Sequence, residues 1–285
     1  MTASDVLPPG TEELVERALA EDIGEGDHTS LGTIPASARG SARLLVKGSG
    51  VLAGVELAQH IIGHVDSDLH MRTLITDGAL VTPGDVAFTL SGPARSIVIA
   101  ERTVLNFMQR MSGIATLTRK FVEAVEGTGC NVLDTRKTTP GLRHIEKWAV
   151  RLGGGMNHRT GLYDMVMIKD NHVDMAGGIA QAIASVKEYM AQRSLALPIE
   201  VETRNLKEVQ QVIDAGGVQR IMLDNYDFPT LRAAVQLIAK RYETEASGGI
   251  TLANARQYAE CGVDFISVGA LTHSVPSLDL SLKAM

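Results

Sequence analysis

The sequence is poor in cysteine, in aromatic side chains and in long apolar runs. Only two of its 285 residues are cysteine, they form no CxxC pair, and 4% of the residues are aromatic. A reducing compartment is the simplest interpretation of so little cysteine. The first residues show no basic stretch followed by an apolar run, which predicts no secretory signal, and no run approaches the length of a membrane span. We therefore expect a soluble cytoplasmic protein.

The chain also lacks a surplus of basic residues. Its formal net charge is -6 and its pI is about 5.8, which argues against non-specific binding of nucleic acid. The segment 134–172 departs from this acidic background. It interleaves glycine with Arg136, Lys137, Arg143, Lys147, Arg151, His158, Arg159 and Lys169. Clustered cations in a glycine-rich segment are typical of a site for a multiply anionic small molecule; a basic solvated face is the weaker alternative.

The pattern of apolar residues changes along the chain. Short β-rich runs separated by glycine turns fill 39–92, and 77–92 is typical of a hairpin. Apolar residues near helical spacing predict one long helix over 96–125. Beyond it, short apolar runs alternate with helical patterns, and the later runs are a little over twenty residues apart. This alternation predicts a parallel α/β sheet, and its repetition favours a barrel, incomplete because only six strands can be counted.

The predicted strands end in polar residues or glycine. The active site of a barrel lies at the C-terminal ends of its strands. We therefore expect one mouth lined by Asp134, Arg136, Lys137, Lys169, Glu202, Asp224, Ser247 and Gly269. Cations, carboxylates and Gly/Ser turns around one cavity are typical of a site for a phosphorylated, metal-bridged substrate.

Two carboxylates and two glycine turns carry the phosphate and metal hypotheses. Glu202 and Asp224 each end an apolar strand, where an unpaired charge is costly. Magnesium prefers a few carboxylates together with phosphate oxygens, whereas ion pairs with Lys137 or Lys169 are an alternative that can hold at the same time. The sequence pattern predicts that each of the turns at 247–251 and 268–270 follows a strand and begins a helix. Such turns favour phosphate binding at backbone N–H groups.

Other residues allow more than one interpretation. A lysine delivered by an apolar strand, as Lys169 is, also indicates a Schiff-base aldolase. Asn171 and His172 are expected to cap the next helix. The pair His60 and His64 has the spacing of zinc ligands on a helix, but it lacks HExxH character and lies far from the cationic segment. We interpret it as a partly exposed helix end and loop.

Several motifs occur in one order that resembles a known family. They are DTRKTTPGLR, GGGMNHRTGLYD, MIKDNH, EVE, MLDN, SGGI and SVGALTHS, preceded by ALAEDIGEGDHTS and ERTVLNFMQRMSGIAT. Their order and spacing resemble the quinolinate phosphoribosyltransferases over nearly the whole chain. The resemblance implies an N-terminal α/β sandwich domain at 1–112, on which a tail at about 275–285 can pack. It implies an open, seven-stranded α/β barrel at 113–274.

The resemblance also assigns roles to residues. It implies that Arg136, His158, Arg159 and Lys169 hold the two carboxylates of quinolinate. It places Lys137 near phosphoribosyl pyrophosphate, Glu202 and Asp224 at its ribose and at Mg²⁺, and Ser247, Gly248, Gly249 and Gly269 at its 5-phosphate, with His273 as a lesser contributor. Lys137, Lys169, Glu202 and Asp224 are the expected catalytic set. Arg102 is expected to reach the neighbouring site in a homodimer or hexamer.

The implied activity is phosphoribosyl transfer to quinolinate with decarboxylation. Its products are nicotinate mononucleotide, pyrophosphate and CO₂, in the synthesis of NAD. The partners are thus small molecules and a second copy of the chain, with no nucleic acid and no membrane. Two alternatives stay open at this point: a molybdenum-transport-associated relative with a changed substrate, and an aldolase that uses Lys137 or Lys169.

Overall fold

The computed structural model describes residues 7–285, so the first six residues of the predicted N-terminal domain lie outside the described part. The described chain forms two compact units. The first contains residues 7–119, 138–154 and 271–285, and the second contains residues 120–137 and 155–270. The chain therefore passes between the units four times.

The helices and strands follow one another in this order. The first part contains α1 Thr11–Ile23, α2 His28–Thr33, β1 Arg39–Val46, β2 Gly50–Val51, α3 Val55–Val65, β3 His70–Thr73, β4 Leu80–Val81, β5 Val86–Pro93 and α4 Ala94–Ala124. Then come β6 Asn131–Leu133, α5 Arg143–Leu152, β7 Val166–Ile168, α6 Asp170–Ala176, α7 Ile179–Gln192, β8 Ile199–Thr203 and α8 Leu206–Ala215. The last part contains β9 Arg220–Asp224, α9 Phe228–Ile238, β10 Glu243–Ser247, α10 Ala255–Ala259, β11 Phe265–Ser267, α11 Ala270–His273 and β12 Leu280–Ala284.

The first unit is built on an antiparallel sheet of order β12-β1-β5-β3, so the C-terminal strand pairs with the first strand of the chain. The expected hairpin at 77–92 is wrong. Strand β4 pairs with β2 in a separate two-stranded sheet, whereas β5 pairs with β1 and β3. Local turn residues predict a reversal of the chain, but the partner of each strand depends on which apolar surfaces meet.

The long helix is confirmed, because α4 extends from Ala94 to Ala124. Its residues Val104, Met108, Met111 and Ile114 are buried, as their near-helical spacing predicts. Trp148 on α5 is also buried and packs in the core. Within residues 7–285, no helix is both long and apolar enough to cross a membrane.

The second unit is a parallel sheet of six strands in the order β6-β11-β10-β9-β8-β7. Met156 extends it by one residue, because it forms a parallel bridge with Leu133 of the edge strand β6. The N–H of Met156 donates to Val132 O at 2.8 Å, and Met156 O accepts from the N–H of Asp134 at 3.1 Å. Where an open, about seven-stranded α/β barrel was expected, the structure therefore has a parallel α/β sheet of six strands and this bridge.

Alternation along the strands separates two kinds of side chain. The apolar residues of one face include Val201, Ile221, Leu223 and Ala246, which are fully buried. The opposite face carries charge in β8, β9 and β10: Glu200, Glu202, Arg220, Asp224, Glu243 and Glu245. The alternation in these strands thus gives one face mostly charged side chains, with Met222 as its apolar member.

Candidate active site

The C-terminal ends of the parallel strands bring most predicted site residues to one edge of the sheet. Asp224 is in register with Ser247, Leu133 with Ser267, and Ile168 with Val201. The residues at or just after these positions are Asp134, Lys169, Glu202, Asp224, Ser247 and Gly269. The strand-end residues of the second unit therefore lie at one edge of the sheet, as the sequence pattern predicts.

Two guanidinium groups form the cationic side of this edge. Arg159 is buried, and its Nη1 donates to Met165 O at 3.2 Å. Burial lowers the pKa of Arg159, and the positive charge of Arg136 lowers it further. Two cations held close enough to disfavour each other are a good receptor for a ligand with more than one carboxylate, because a dianion removes their repulsion.

Asp134 fixes the loop that presents Arg159. This carboxylate is fully buried, and it accepts the backbone N–H of His158 at 2.8 Å and the Nδ2 of Asn157 at 2.6 Å. Loss of either hydrogen bond would leave a buried polar group unsatisfied, which is costly. The loop at Asn157, His158 and Arg159 is therefore anchored to the end of β6.

Lys169 and two carboxylates form the opposite side of the edge. The Nζ of Lys169 lies 3.7 Å from Oε2 of Glu202, so the ion pair expected as an alternative is present. Burial raises the pKa of Glu202, the charge of Lys169 lowers it, and the charge of Asp224 raises it. Glu202 and Asp224 are thus close enough to repel each other. The Nδ1 of His172 accepts the backbone N–H of Lys169 at 2.9 Å, which confirms His172 as a cap of α6.

The glycine turn after β10 differs from the sequence prediction. It does not open a helix directly, because α10 begins only at Ala255 and is preceded by a turn in which Asn254 Oδ1 accepts the N–H of Thr251 at 2.7 Å. Gly248 has φ +96, and a Cβ there would lie 2.1 Å from Oδ1 of Asn225. A side chain at Gly248 would therefore collide with the residue that follows Asp224. Gly269 does lie directly between β11 and α11.

His158 lies below this edge and belongs to a buried cluster. Its Nε2 is 2.9 Å from Oε2 of Glu200 and 3.3 Å from Oε2 of Glu245, and both glutamates are fully buried. Arg220 completes the cluster with its Nη1 3.0 Å from Oε2 of Glu245, and it stacks on Phe265. We call His158, Glu200, Arg220 and Glu245 the buried cluster. Its contacts give the His158 ring a structural partner in addition to the substrate role implied by the resemblance.

Burial and mutual charge shift the pKa values of the buried cluster. Burial alone would lower the pKa of His158, but the hydrogen bonds and charges of Glu200 and Glu245 outweigh it and raise the pKa to about 9. Burial raises the pKa of Glu200 to about 7, and the charge of Glu245 acts in the same direction. Burial opposes ionisation of Glu245 as well, but His158, Ser267 and Arg220 lower its pKa. The cluster therefore holds a proton on Glu200 more readily than on Glu245.

Sequence reasoning missed the two buried glutamates and Arg220. Glu200 precedes Glu202 by two residues and Glu245 precedes Ser247 by two, so each lies on the same face as a predicted site residue. Arg220 lies four residues before Asp224 on that face. The period of two was the available signal, and it predicts a second layer of charge beneath the mouth.

The remaining predicted residues differ in their surroundings. Lys137 is exposed and follows Arg136 in the loop after β6. Arg102 is exposed on α4, and His273 ends α11 with its Nδ1 2.6 Å from Oγ of Ser274. These two residues belong to the first unit. Their roles at the substrate site stay predictions.

Comparison with known proteins matches both parts of the chain to one family. Residues 27–112 match the family described as quinolinate phosphoribosyl transferase, N-terminal domain, and residues 114–283 match its C-terminal domain. The chain belongs to the quinolinate phosphoribosyltransferase family. These matches confirm the family that the motifs resemble.

Curated relatives and solved structures cover nearly the whole chain of this quinolinate phosphoribosyltransferase family member. A chloroplastic protein of Arabidopsis thaliana named nicotinate-nucleotide pyrophosphorylase [carboxylating] is 50% identical over 95% of this chain and 81% of its own length. A probable nicotinate-nucleotide pyrophosphorylase of Synechocystis is 44% identical over 97% and 94%. The crystal structure of NadC from Streptococcus pyogenes is 36% identical, with a TM-score of 0.93 over 99% of this chain and 100% of that one.

Proposed function

We propose that this chain transfers the phosphoribosyl group of phosphoribosyl pyrophosphate to quinolinate and removes one carboxylate, as its relatives' names indicate. The products are nicotinate mononucleotide, pyrophosphate and CO₂, in the synthesis of NAD. One observation supports this more than any other. A pair of mutually repelling guanidiniums and a pair of mutually repelling carboxylates lie at the same sheet edge, where a dianionic acceptor and a metal-bound sugar phosphate would relieve both.

The cationic side is the proposed quinolinate site. Arg136 and Arg159 would each face a carboxylate, and an arginine fork matches a carboxylate through two parallel N–H donors. Lys169 would approach the carboxylate that leaves. Lys169 now pairs with Glu202, with its Nζ 3.7 Å from Oε2 of that residue. From this position Lys169 can orient the leaving carboxylate without binding it permanently.

The carboxylate side is the proposed sugar and metal site. Glu202 and Asp224 fit Mg²⁺, because their charges repel each other and carboxylates combined with phosphate oxygens suit this ion. Magnesium, when bound, neutralises charge on the pyrophosphate leaving group. The turn at Ser247, Gly248 and Gly249, together with Gly269 just after the neighbouring strand β11, would offer backbone N–H groups to the 5-phosphate.

The chemistry follows from these positions. The lone pair of the quinolinate nitrogen forms a bond to C1 of the ribose while the bond from C1 to the pyrophosphate oxygen breaks. The carboxylates of Glu202 and Asp224 stabilise the positive charge that develops on the sugar. The bond between the ring and its 2-carboxylate then breaks, the electron pair stays beside the cationic ring nitrogen, CO₂ departs, and a proton from water replaces it.

The aldolase alternative is weaker in this structure. A Schiff-base lysine is usually activated by an apolar pocket or by a second cation. The side chain of Lys169 is 47% exposed and pairs with Glu202. The family matches also carry no support for a changed substrate. Borohydride reduction in the presence of a sugar phosphate should therefore trap no covalent adduct.

The test is product formation from purified protein with phosphoribosyl pyrophosphate, Mg²⁺ and either quinolinate or nicotinate. We expect nicotinate mononucleotide from quinolinate only. Arg136→Ala should raise the KM for quinolinate, and Asp224→Asn should raise the KM for phosphoribosyl pyrophosphate. Each KM should rise about tenfold to a hundredfold, the effect of losing one charge-assisted hydrogen bond. Lys240→Ala removes an exposed cation before β10, at the opposite edge, and should change neither.

Product from nicotinate alone would contradict the dicarboxylate site. If both variants raised the KM for the same substrate only, the division into a cationic and a carboxylate side would be wrong. If neither quinolinate nor nicotinate gave product, the transferase activity itself would be contradicted.

The proposal includes a dimer or hexamer in which Arg102 reaches the neighbouring site, as the resemblance implies; the exposure of this arginine on α4 is compatible with that role. Mixing Arg102→Ala with Asp224→Asn subunits tests it. Each variant alone should be weakly active, and the mixture should recover activity because some sites receive both intact residues. No recovery in a mixture shown to exchange subunits would contradict the shared site. The cytoplasmic location stays a prediction.

A further inference from the structure

A second group of histidine and glutamate side chains lies on two helices of the first unit. His60 and His64 are four residues apart on α3, and Glu12 and Glu16 are four residues apart on α1. Residues at this spacing share one face of a helix. Each helix therefore presents two potential metal ligands side by side, and we call these four residues the exposed cluster.

The two pairs meet in space. Oε2 of Glu12 lies 2.7 Å from Nε2 of His60, and Oε1 of Glu12 lies 3.2 Å from Nδ1 of His64. One ligand atom from each of Glu12, Glu16 and His64 can be chosen so that all three lie within 4.8 Å of one another. Donor atoms around a tetrahedral zinc ion lie about 3.3 Å apart, since each lies about 2.0–2.1 Å from the metal. His60 is not in this group of three, and its place in the site rests on the 2.7 Å contact of its Nε2 with Oε2 of Glu12.

The position of both helices is determined by packing, so the donors are held in place. On α1, Val15 and Leu19 are buried, while on α3 Leu57, Ile61 and Ile62 are buried. The start of α3 is fixed as well, because the carboxylate of Asp77 accepts the N–H of Val55 at 2.9 Å. Ligands on rigid helices lose less entropy on metal binding than ligands on loops.

The electrostatics of the exposed cluster favour a cation. Within residues 7–285, the ion pairs of Glu12 are with His60 and His64 only, and Glu16 forms none. Nε2 of His60 is shielded from solvent, yet it has no hydrogen bond of acceptable geometry there despite the nearby carboxylate. With neutral imidazoles the four groups carry two negative charges, which one divalent ion would balance.

We propose that Glu12, Glu16, His60 and His64 bind one divalent transition-metal ion, with zinc as the best fit. Two imidazoles and two carboxylates match zinc, which accepts both ligand types in tetrahedral geometry. Magnesium and calcium prefer oxygen ligands alone and should not compete. The site would join α1 to α3 and would be independent of the transferase chemistry.

The test is a zinc titration of the chelator-treated full-length protein by calorimetry, with Co²⁺ absorption as a second readout. We expect one strong zinc site per chain and a tetrahedral Co²⁺ spectrum. The double variant His60→Ala, His64→Ala should weaken zinc binding by more than the roughly 10–100-fold that loss of an outer partner costs. His70→Ala, which removes an exposed histidine on β3, should bind like the parent protein.

A further variant distinguishes this site from the proposed magnesium site of the second unit. Glu202→Gln with Asp224→Asn removes the proposed magnesium ligands and should leave the zinc site and the Co²⁺ spectrum unchanged. Both readouts retain their meaning if the protein has no transferase activity. Zinc binding that survives the loss of both histidines, or that disappears when Glu202 and Asp224 are replaced, would overturn the proposal. Absence of zinc binding at micromolar concentration in the parent protein would do the same, and would leave Glu12 as an ordinary ion-pair partner of the two histidines.

Discussion

The buried cluster and the exposed cluster contain the same kinds of ligand in opposite surroundings. In the second unit, His158 contacts Glu200 and Glu245, which are fully buried. In the first unit, His60 and His64 contact Glu12, whose side chain is 52% exposed. The buried cluster contains its own permanent cation, Arg220, at 3.0 Å from Glu245. The exposed cluster has no arginine or lysine among its described ion pairs.

Burial therefore decides which of two roles the same residue types have. A buried carboxylate must be paired or protonated, so the buried cluster is committed to internal contacts and to holding a proton. The exposed Glu12, Glu16 and His64 remain solvated and can exchange their weak contacts for a metal ion. Ligand type alone therefore does not identify a metal site; the surrounding charge and solvent access decide it.

The largest effect should come from removing the cation of the buried cluster. Arg220→Met keeps much of the side-chain volume but leaves Glu245 without its permanent partner. We expect a loss of about 3–5 kcal/mol in the free energy of unfolding, measured with urea. Arg204→Met removes an arginine with two carboxylate partners at the surface, Asp174 and Glu208, and should lower the free energy of unfolding far less, because exposed ion pairs are screened by solvent. Equal losses would contradict the distinction by burial.

The buried cluster should also make stability depend on pH. His158, with a pKa raised to about 9, and Glu200, with a pKa raised to about 7, bind protons more tightly in the folded chain than in the unfolded one. Their contribution is complete at low pH. It is lost as pH rises, from about 4.5 to 7 for Glu200 and from about 6.5 to 9 for His158.

The loss due to each of the two groups should be on the order of 3 kcal/mol, measured as urea midpoints at successive pH values. Glu200→Gln should flatten the decline between pH 5 and 7 while keeping the side-chain shape. An unchanged pH profile in that variant would show that the proton is held elsewhere.

Zinc should affect the first unit by a smaller amount. A ligand at a hundred times its Kd stabilises the state that binds it by about 2.7 kcal/mol. We therefore expect the Tm to rise with zinc and to fall back with a chelator. The rise should be absent in His64→Ala and present in His70→Ala. A rise that persists in His64→Ala would place the ion at another site.

The smallest effect should be on substrate binding. Glu245→Gln weakens the support of His158, which precedes Arg159 in the loop. We expect the KM for quinolinate to rise about tenfold, or about 1.4 kcal/mol, with the KM for phosphoribosyl pyrophosphate unchanged. His64→Ala should change neither constant. A rise in both constants for Glu245→Gln would indicate general damage to the sheet and not a positioning role.

The sequence predicted the second unit better than the first. Apolar strands of βα units recur in order along the chain, and parallel strands align their ends, so the residues after each strand could be assigned to one edge. The strands of the first unit pair across long separations. For this reason the apparent hairpin at 77–92 was wrong, although the β-rich character of 39–92 was predicted.

The amino-acid sequence by itself determined the helix α4, the alternation of the second unit and the family, because these depend on local periodicity and on motifs read in order. Tertiary structure alone decided which charged groups meet. Glu12 and His60 are 48 positions apart, as their numbers show, and His158 joins Glu200 and Glu245 across three parts of the chain. Contact between distant residues depends on the packing of apolar faces, and burial then decides whether the same side chains hold a proton or remain available to a metal.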